Sequence, residues 1–422
     1  MHEQTRILAC AFTCCPPGKP GFTGGEDILG WNLLQQIARF HEVWAITNED
    51  DRQSIEIELS EKAIRNLHFI YVGLPKFLHW MLRFQGTHQL YYHLWQVRAY
   101  FAARTVHKRI QFSLFHHITY ANDWLASFTG ALLPIPYVRG PGGGAHRTPK
   151  GFTSEYRLGG RLWERVRTLG QWMFRHDPLF IRGQSRASAL LLCTNESLLA
   201  IPKKWSLKCH LFPVSGISTE DMVQVQSAHR TNLTFTILSA GSLIRVKGFG
   251  LAMKAFKTFS DKYPSAEFKI VGAGPEESNL RTLSETLKLE SKVLLQNELS
   301  RQDLLLEMAA ADLFLFPSLR DGGGTVVVEA MAMGKPVVCL DAGGPGMHVT
   351  DDVGVKVTPH SPDQAVREIA EALERLYLDS ELRKELGSAG QEKAKRHYHW
   401  DQLGERLMGI YNSILSEKPQ NQ

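Results

Sequence analysis

The sequence predicts an α/β protein made of two consecutive doubly wound parallel-sheet domains. Three observations carry that expectation. Short apolar runs alternate with helical patterns along the chain, as parallel strands joined by crossover helices do. The alternation breaks at Phe212-Pro213-Val214-Ser215-Gly216 and restarts after a polar stretch running through Arg230. Glycine-rich loops follow several of the strands, at the carboxyl ends where open parallel sheets place their ligands.

In the first half, strands are expected at Arg6–Phe12, Glu42–Thr47, His68–Val72, Phe112–His116, Pro136–Val138 and Leu190–Thr194. Amphipathic segments lie between them, among them Ile28–Ala38 and a long one over Lys76–Arg109. In the second half, strands are expected at Thr234–Ser239, Phe268–Val271, Val293–Leu295, Leu313–Phe316 and Val337–Leu340. No short-period repeat interrupts the series, which excludes solenoids and propellers.

The chain has 422 residues, 43% hydrophobic and 22% charged, an ordinary composition for a soluble globular protein with a large core. No apolar run approaches the roughly 20 residues that span a bilayer. The start Met1-His2-Glu3-Gln4-Thr5-Arg6 lacks a secretory leader's cationic end and long apolar run, so the expected location is cytoplasmic. None of Cys10, Cys14, Cys15, Cys193, Cys209 and Cys339 forms a Cys-x-x-Cys pair; reduced core thiols and no metal site are expected. A net charge of +5 is too mild to indicate nucleic acid, but it is unevenly spread. Arg139, Arg147, Lys150, Arg157, Arg161, Arg165, Arg167, Arg175, Arg182 and Arg186 are opposed only by Glu155, Glu164 and Asp177. Such a block fits either an anionic partner, a phosphorylated acceptor or an acidic membrane surface, or a solvated helical face.

Four strand-end loops carry candidate chemistry. Gly18–Glu26 follows the first strand, and its Gly24-Gly25 lets backbone amides approach an anion at a helix start. Ala240-Gly241-Ser242-Leu243-Ile244-Arg245-Val246-Lys247-Gly248 brings two cations, Arg245 and Lys247, to a helix entry where they can neutralise a diphosphate. Gly272-Ala273-Gly274-Pro275 imitates the start of a dinucleotide fingerprint, but Glu277 occupies the third glycine position, which disfavours a nicotinamide site and leaves Gly272 and Gly274 to a close backbone approach to a nucleobase or phosphate. The most specific loop is Phe316–Val337: a strand end, Asp321, the turn Gly322-Gly323-Gly324, a helix from Thr325 and a returning strand. Its glycines offer amides to phosphate, and Glu329, one turn into the helix, can accept hydrogen bonds from sugar hydroxyls.

With those residues in view, the chain resembles the family-4 retaining glycosyltransferases, whose fold is the two-domain GT-B type with a cleft between Rossmann-like halves. The resemblance rests on Gly241–Gly248, Gly272–Pro275, Asp321 to Glu329 followed by Ala330–Val337, and Gly343-Gly344-Pro345. In the first domain it rests on Cys15–Pro17, Gly24-Gly25-Glu26, Gly30-Trp31-Asn32, His41–Trp44, His116–Thr119 and Gly140–Gly144, and resembles a bacterial branch concerned with polysaccharides and glycoconjugates. It implies an acceptor-side domain over 1–215, a nucleotide-sugar-binding domain over 216–395, and a final helical segment over 396–422 that crosses back onto the first domain.

The resemblance further implies a metal-independent hexosyl transfer from a nucleotide-diphosphate sugar to a glycan or lipid-linked acceptor, with no other cofactor and no nucleic acid. The basic block and the aromatic segment over Phe77–Trp95 add an expected peripheral contact with anionic lipid at the inner face of the plasma membrane. By position, Glu329 would bind the ribose, Asp321 the donor sugar and Lys247 the departing diphosphate, with Gly24-Gly25 facing the phosphates. The family's donor-contacting histidine corresponds to His116 or His117. Two positions depart from the family pattern: Ser242 stands where a phosphate-binding arginine is usual, with Arg245 as its substitute, and Asp321 replaces the commoner glutamate. These departures support a second reading, a non-catalytic subunit that binds nucleotide-sugar or glycan for a partner transferase. The aromatic segment Phe77–Phe84 and Tyr91–Trp95 fits either a membrane interface or packing inside the first domain.

Overall fold

The computed structural model describes residues 5–83, 85–153, 158–225 and 234–416. The first four residues, Phe84, Arg157, the polar stretch 226–233 and the end of the final segment, 417–422, lie outside the described residues.

The first sheet holds β1 (Arg6–Cys10), β2 (Glu42–Asn48), β3 (Leu67–Val72), β4 (Leu114–His117), β5 (Tyr137–Gly142), β6 (Ala189–Leu192) and β7 (Cys209–Leu211). They pair in the order β3-β2-β1-β4-β5-β6-β7, parallel throughout. The second holds β8 (Thr236–Ala240), β9 (Glu267–Val271), β10 (Val293–Gln296), β11 (Leu313–Phe316), β12 (Val337–Leu340) and β13 (Gly354–Val357), parallel in the order β10-β9-β8-β11-β12-β13. The central strands are apolar from end to end because helices cover both faces; every residue of β4, β6, β11 and β12 is buried. In each sheet the strand order reverses beside the first strand, and the crevice at that reversal is where such folds bind ligands.

The sequence reading missed β7 and β13. Both are short edge strands, half-buried and interrupted by His210 or by Gly354 and Lys356, so neither shows an apolar run. The long helical segment divides into a 3₁₀ stretch, Lys76–Arg83, and a helix over Gln85–Ile110. The aromatic segment divides too: Tyr91, Tyr92 and Trp95 are buried against Phe12, while Phe77 and Trp80 face solvent. Among the described residues, no helix is long and apolar enough to cross a membrane.

The basic block is largely structural. Arg139 is buried and donates to the carbonyls of Asn122 and Leu125. Arg175, Arg182 and Arg186 donate to the carbonyls of Asp123, Ala131 and Leu133. Arg147, Lys150 and Arg165 remain exposed.

The last helix, Trp400–Ser416, returns to the first domain. Trp400, Leu403, Leu407 and Tyr411 join the core formed by Ile7, Ala9, Leu33 and Leu34. The crossing is tight: Ile217 bridges His399, and a Cβ at Gly216 would stand 2.5 Å from the Trp400 indole. At its far end the Tyr411 hydroxyl stands 2.6 Å from His116 Nδ1, whose Nε2 donates to the Gly140 carbonyl at 2.5 Å. Tyr411→Phe therefore leaves a buried imidazole nitrogen without its donor. A loss of about 1–3 kcal/mol is expected, read as a lower urea midpoint with an unchanged slope.

Candidate active site

The carboxyl ends of the two sheets face one another across a cleft of about 540 Å³, within the roughly 300–1,000 Å³ typical of small-molecule sites. The first domain contributes Thr23, Gly24, Gly25 and Glu26; the second contributes Ser242, Lys247, Arg301, Asp321, Gly323, Thr325 and Glu329.

The near wall is the start of the Gly25–Ala38 helix. Gly24 precedes it at φ 126°, ψ −135°, a conformation closed to residues with a side chain. Asp27 accepts from the amides of Thr23 at 2.7 Å and Cys15 at 3.1 Å, folding the preceding loop onto the first turn. A Cβ at Gly25 would stand 3.7 Å from Thr325 Oγ1, so two helix N-termini look into one narrow gap. Their unpaired first-turn amides and positive dipole ends make the gap suited to an anion.

Asp321 organises the far wall. Its Oδ1 accepts from the amides of Gly323 at 2.9 Å and Gly324 at 2.8 Å, and its Oδ2 meets Lys247 Nζ. Burial pushes this carboxyl up, but Lys247 and the two amides outweigh it and hold it below the ordinary value. The Gly323 carbonyl accepts from Ser215 Oγ at 2.8 Å and His348 Nε2 at 2.7 Å, which fixes the glycine turn. Asp321 thus takes two amides that the sequence reading assigned to a ligand. Thr325 and Val326, the first two helical residues, remain at the cleft surface.

Glu329 is buried and paired with Arg301, which also reaches Asp221 at 3.1 and 3.3 Å. Burial pushes Glu329 up from the ordinary carboxylate value, against the pull of Arg301. Burial opposes the charge on Arg301 as well, but Glu329 and Asp221 more than restore it. Ser242 lines the same cleft, and Arg301 enters it from a different strand-end loop.

Several expected site residues stand elsewhere. Arg245 opens the 3₁₀ turn Arg245–Lys247, and residues two apart in such a turn point different ways. It lines a separate pocket with Phe152, Lys254 and Leu283 and does not replace the arginine missing at Ser242. Gly272 and Gly274 do not line the cleft; Cβ atoms there would meet the carbonyl oxygens of Gly241 at 2.0 Å and Leu243 at 2.6 Å. Their absent side chains let the two loops zip together, Leu243 N donating to Ala273 O at 2.8 Å. Gly324 serves the turn itself, at φ 59° against Pro345 and His348.

Neither histidine ending β4 reaches the cleft. Successive strand residues point to opposite faces of a sheet, so His116 meets Tyr411 and His117 meets Tyr92 at 2.8 Å, each beneath a helix. Burial lowers them to about 4 and about 3, leaving both neutral. A donor contact by either is therefore withdrawn.

The residues the sequence reading passed over are Arg301, Glu26 and His146. Arg301 starts a helix after β10, and every strand-end loop of a doubly wound sheet borders the crevice, which was the available signal. Glu26 lies where the cleft meets a second pocket of about 250 Å³, bordered also by Asn122, Gly144, His146 and Gly322. Much of Glu26 is open to the cleft, yet the facing loops exclude enough water from its carboxyl to raise it to about 6. Burial lowers His146, and its Nδ1 has no hydrogen-bond partner among the described residues. Only the nearby run of glycines marked that position.

A parallel-sheet pair closed by a returning C-terminal helix over such a cleft is the GT-B architecture. The sucrose-phosphate synthase of Thermosynechococcus elongatus shares it with a TM-score of 0.67 at 15% identity, over 98% of this chain and 100% of that one. WaaG, a glycosyltransferase involved in lipopolysaccharide biosynthesis, aligns at 0.60 and 17% identity, over 98% and 100%. Residues 225–393 match the family model described as glycosyl transferases group 1. Over 200 residues the chain is 33% identical to the GDP-mannose-dependent monoacylated alpha-(1-6)-phosphatidylinositol monomannoside mannosyltransferase of Corynebacterium glutamicum, covering 44% of this chain and 51% of that protein. An uncharacterized glycosyltransferase of Haemophilus influenzae is 38% identical over 113 residues, 26% of this chain and 31% of that one. The chain spans about half the length, or less, of these curated relatives. The fold is thus GT-B, and the second half of the chain is similar to the group 1 glycosyl transferases.

The Arg301 cluster yields a signed expectation. Without the guanidinium, Glu329 shifts further above its unfolded value, so its contribution to stability is retained in acid and lost as pH rises. Arg301→Met is expected to lower stability by about 3–5 kcal/mol at neutral pH and by less at pH about 5. Adding Glu329→Gln restores part of the loss. Urea titrations of the three proteins at both pH values check this.

Proposed function

We propose that the chain is a retaining, metal-independent hexosyltransferase acting from a nucleotide-diphosphate sugar onto a glycan or lipid-linked acceptor in cell-surface polysaccharide synthesis. The observation that carries the reading is the pairing of Lys247 with Asp321 at a helix N-terminus that faces a second helix N-terminus at Gly24-Gly25. Two dipole ends and a cation held by Asp321 converge where a diphosphate would acquire charge. The names of the relatives, which specify sugar transfer, support the same class of reaction.

In this reading the domain over 216–395 holds the nucleotide and the domain over 1–215 the acceptor. Glu329 takes the ribose hydroxyls, exchanging part of its contact with Arg301. Asp321 contacts the sugar. Ser242 lies beside the diphosphate, and Arg301 brings the positive charge that Ser242 lacks. The bond from the anomeric carbon to the diphosphate oxygen breaks while the acceptor oxygen bonds that carbon on the same face. The acceptor's proton passes to the departing phosphate oxygen, so product glycoside and nucleoside diphosphate account for every atom. The protein's part is positioning and charge stabilisation. Glu26, ionised, accepts a hydrogen bond from a neighbouring hydroxyl of the acceptor and so aims the attacking oxygen. The work is cytoplasmic, with the enzyme held peripherally at the inner face of an anionic membrane.

The competing reading, a non-catalytic subunit that binds nucleotide-sugar for a partner transferase, draws on Ser242 and on the engagement of Glu329 by Arg301. Both readings predict that one of UDP, GDP, ADP, CMP or dTDP raises the melting temperature saturably without added metal, and that Glu329→Ala abolishes the rise. They part on turnover. Sugar transfer predicts donor consumption that falls at least tenfold in Lys247→Ala while the fold persists; donor binding without turnover across an acceptor panel supports the subunit.

Glu26 adds a pH dependence. Its ionised form is the active one, so the rate rises with pH through about 6 and falls about tenfold per unit below it. Glu26→Gln is expected to lower the rate and flatten that acid limb. A profile unchanged by the substitution would remove Glu26 from the acceptor side.

A further inference from the structure

The Leu158–Arg175 helix is inside-out. An ordinary surface helix buries its apolar stripe and shows its charges to water. Here the polar side chains turn inward: Arg167 and Gln171 donate to the Gly144 carbonyl at 3.5 and 3.2 Å, and Arg175 to the Asp123 carbonyl at 3.3 Å. The apolar residues Leu162, Val166, Leu169 and Met173, spaced for one helix face, are 63%, 52%, 58% and 60% exposed. A second stripe, Leu90, Leu94, Val97 and Phe101 on the Gln85–Ile110 helix, is open to solvent as well. Monomeric soluble proteins seldom expose contiguous apolar surface of this kind without a use for it.

Between these helices lies a groove of about 850 Å³ whose walls include Leu90, Trp124, Trp163, Val166 and Phe174. The walls are mainly apolar and aromatic, with His88, Gln89 and His93 among them, and the cations Arg167 and Arg320 also border the groove. Arg167 reaches Gly144, which borders the pocket beside Glu26, and Arg320 immediately precedes Asp321. Both guanidiniums share one carboxylate, Glu164, at 3.8 Å and 2.6 Å, so the cluster keeps a net positive charge. Arg167 Nη1 is buried with no hydrogen-bond acceptor among the described residues. Burial, followed by the repulsion of Arg320, lowers Arg167 to about 10, as expected of a cation short of anions.

We propose that this groove binds the hydrocarbon tail of a lipid acceptor whose phosphate sits against Arg167 and Arg320, with the acceptor's sugar end in the pocket at Glu26. The proposal rests on the sugar-transfer reading of the cleft and gives its acceptor a chemical class: an anionic, phosphate-bearing lipid. The order of surfaces, apolar groove, paired arginines, then polar pocket, matches the order of tail, phosphate and sugar in such a molecule. A second copy of the chain fits less well, because the exposed Arg147 and Arg165 beside the groove would confront their own counterparts.

The test is isothermal titration of the full chain with decyl phosphate below its micelle concentration, against inorganic phosphate and decanol as half-ligands. Decyl phosphate is expected to saturate at one per chain and to bind at least tenfold more tightly than either half. Val166→Asp, at an exposed position, and Trp163→Ala should each weaken it at least tenfold while leaving stabilisation by nucleoside diphosphate unchanged. Absence of saturable binding, or wild-type binding by both variants, overturns the proposal; so does sedimentation showing a dimer that Val166→Asp dissociates. Decyl phosphate bound as expected by a chain that no nucleoside diphosphate stabilises upholds the groove and defeats the donor reading instead.

Discussion

The return of the Trp400–Ser416 helix to the first domain is the constraint on which the cleft depends. Chain passes between the domains at the linker near Gly216 and again at His399, and the two passages touch: Ile217 bridges His399, and Gly216 leaves room for the Trp400 indole. Two domains joined by one strand of chain hinge freely; two joined by adjacent strands packed on a tryptophan share a narrower range of motion. The interface runs on through Ser215, which touches both the Gly323 carbonyl and Thr325 Oγ1, and through Tyr398, which holds His348 beneath the same glycine turn at 2.9 Å. The segment that joins the domains therefore also shapes the glycine turn that lines the cleft.

Within the cleft, the polar groups are arranged before any ligand arrives. Asp321 holds two amides and Lys247, and Arg301 is held between two carboxylates. Such pre-pairing keeps buried charge tolerable in the free protein and places cations within reach of the gap between the two helix ends. In the proposed sugar transfer, a ligand with its own negative charge and hydroxyls exchanges for these contacts, and the electrostatic preparation costs little because it is already part of the fold.

Much of this was legible in the residues themselves. Asp321, the glycine turn and Glu329 follow one another within nine positions, and a strand-turn-helix unit fixes their directions once the strand is found. The central strands were legible because burial on both faces leaves them apolar throughout, whereas β7 and β13, on the edges, were not. Side-chain direction was the harder matter. His116 and His117 sit at a plausible address, but the strand's alternation turns both away, and no local pattern shows that a helix from residue 400 onward covers one of them. Gly272 and Gly274 read as ligand-facing glycines, and their actual reason is a neighbouring loop about thirty residues earlier in the chain. Arg301 and Glu26 become visible only when loops from different strands are brought to one place. Part of the basic block serves the fold for the same cause: carbonyls that receive Arg139, Arg182 and Arg186 lie on separate segments.

The same returning helix sets an order of assembly. The second sheet is built from residues 236–357 and can close on its own helices as soon as they have been synthesised. The first sheet, although made earlier, lacks Trp400, Leu407 and Tyr411 from its core until nearly the last residue described here has left the ribosome. Domains usually fold in the order of synthesis; this one is obliged to wait. During translation the core around Ile7, Ala9 and Leu34 stands partly uncovered, with His116 Nδ1 lacking its Tyr411 partner. A nascent chain in that condition is a natural client for a holding chaperone, and a truncation near residue 400 would damage the domain farthest from it in sequence.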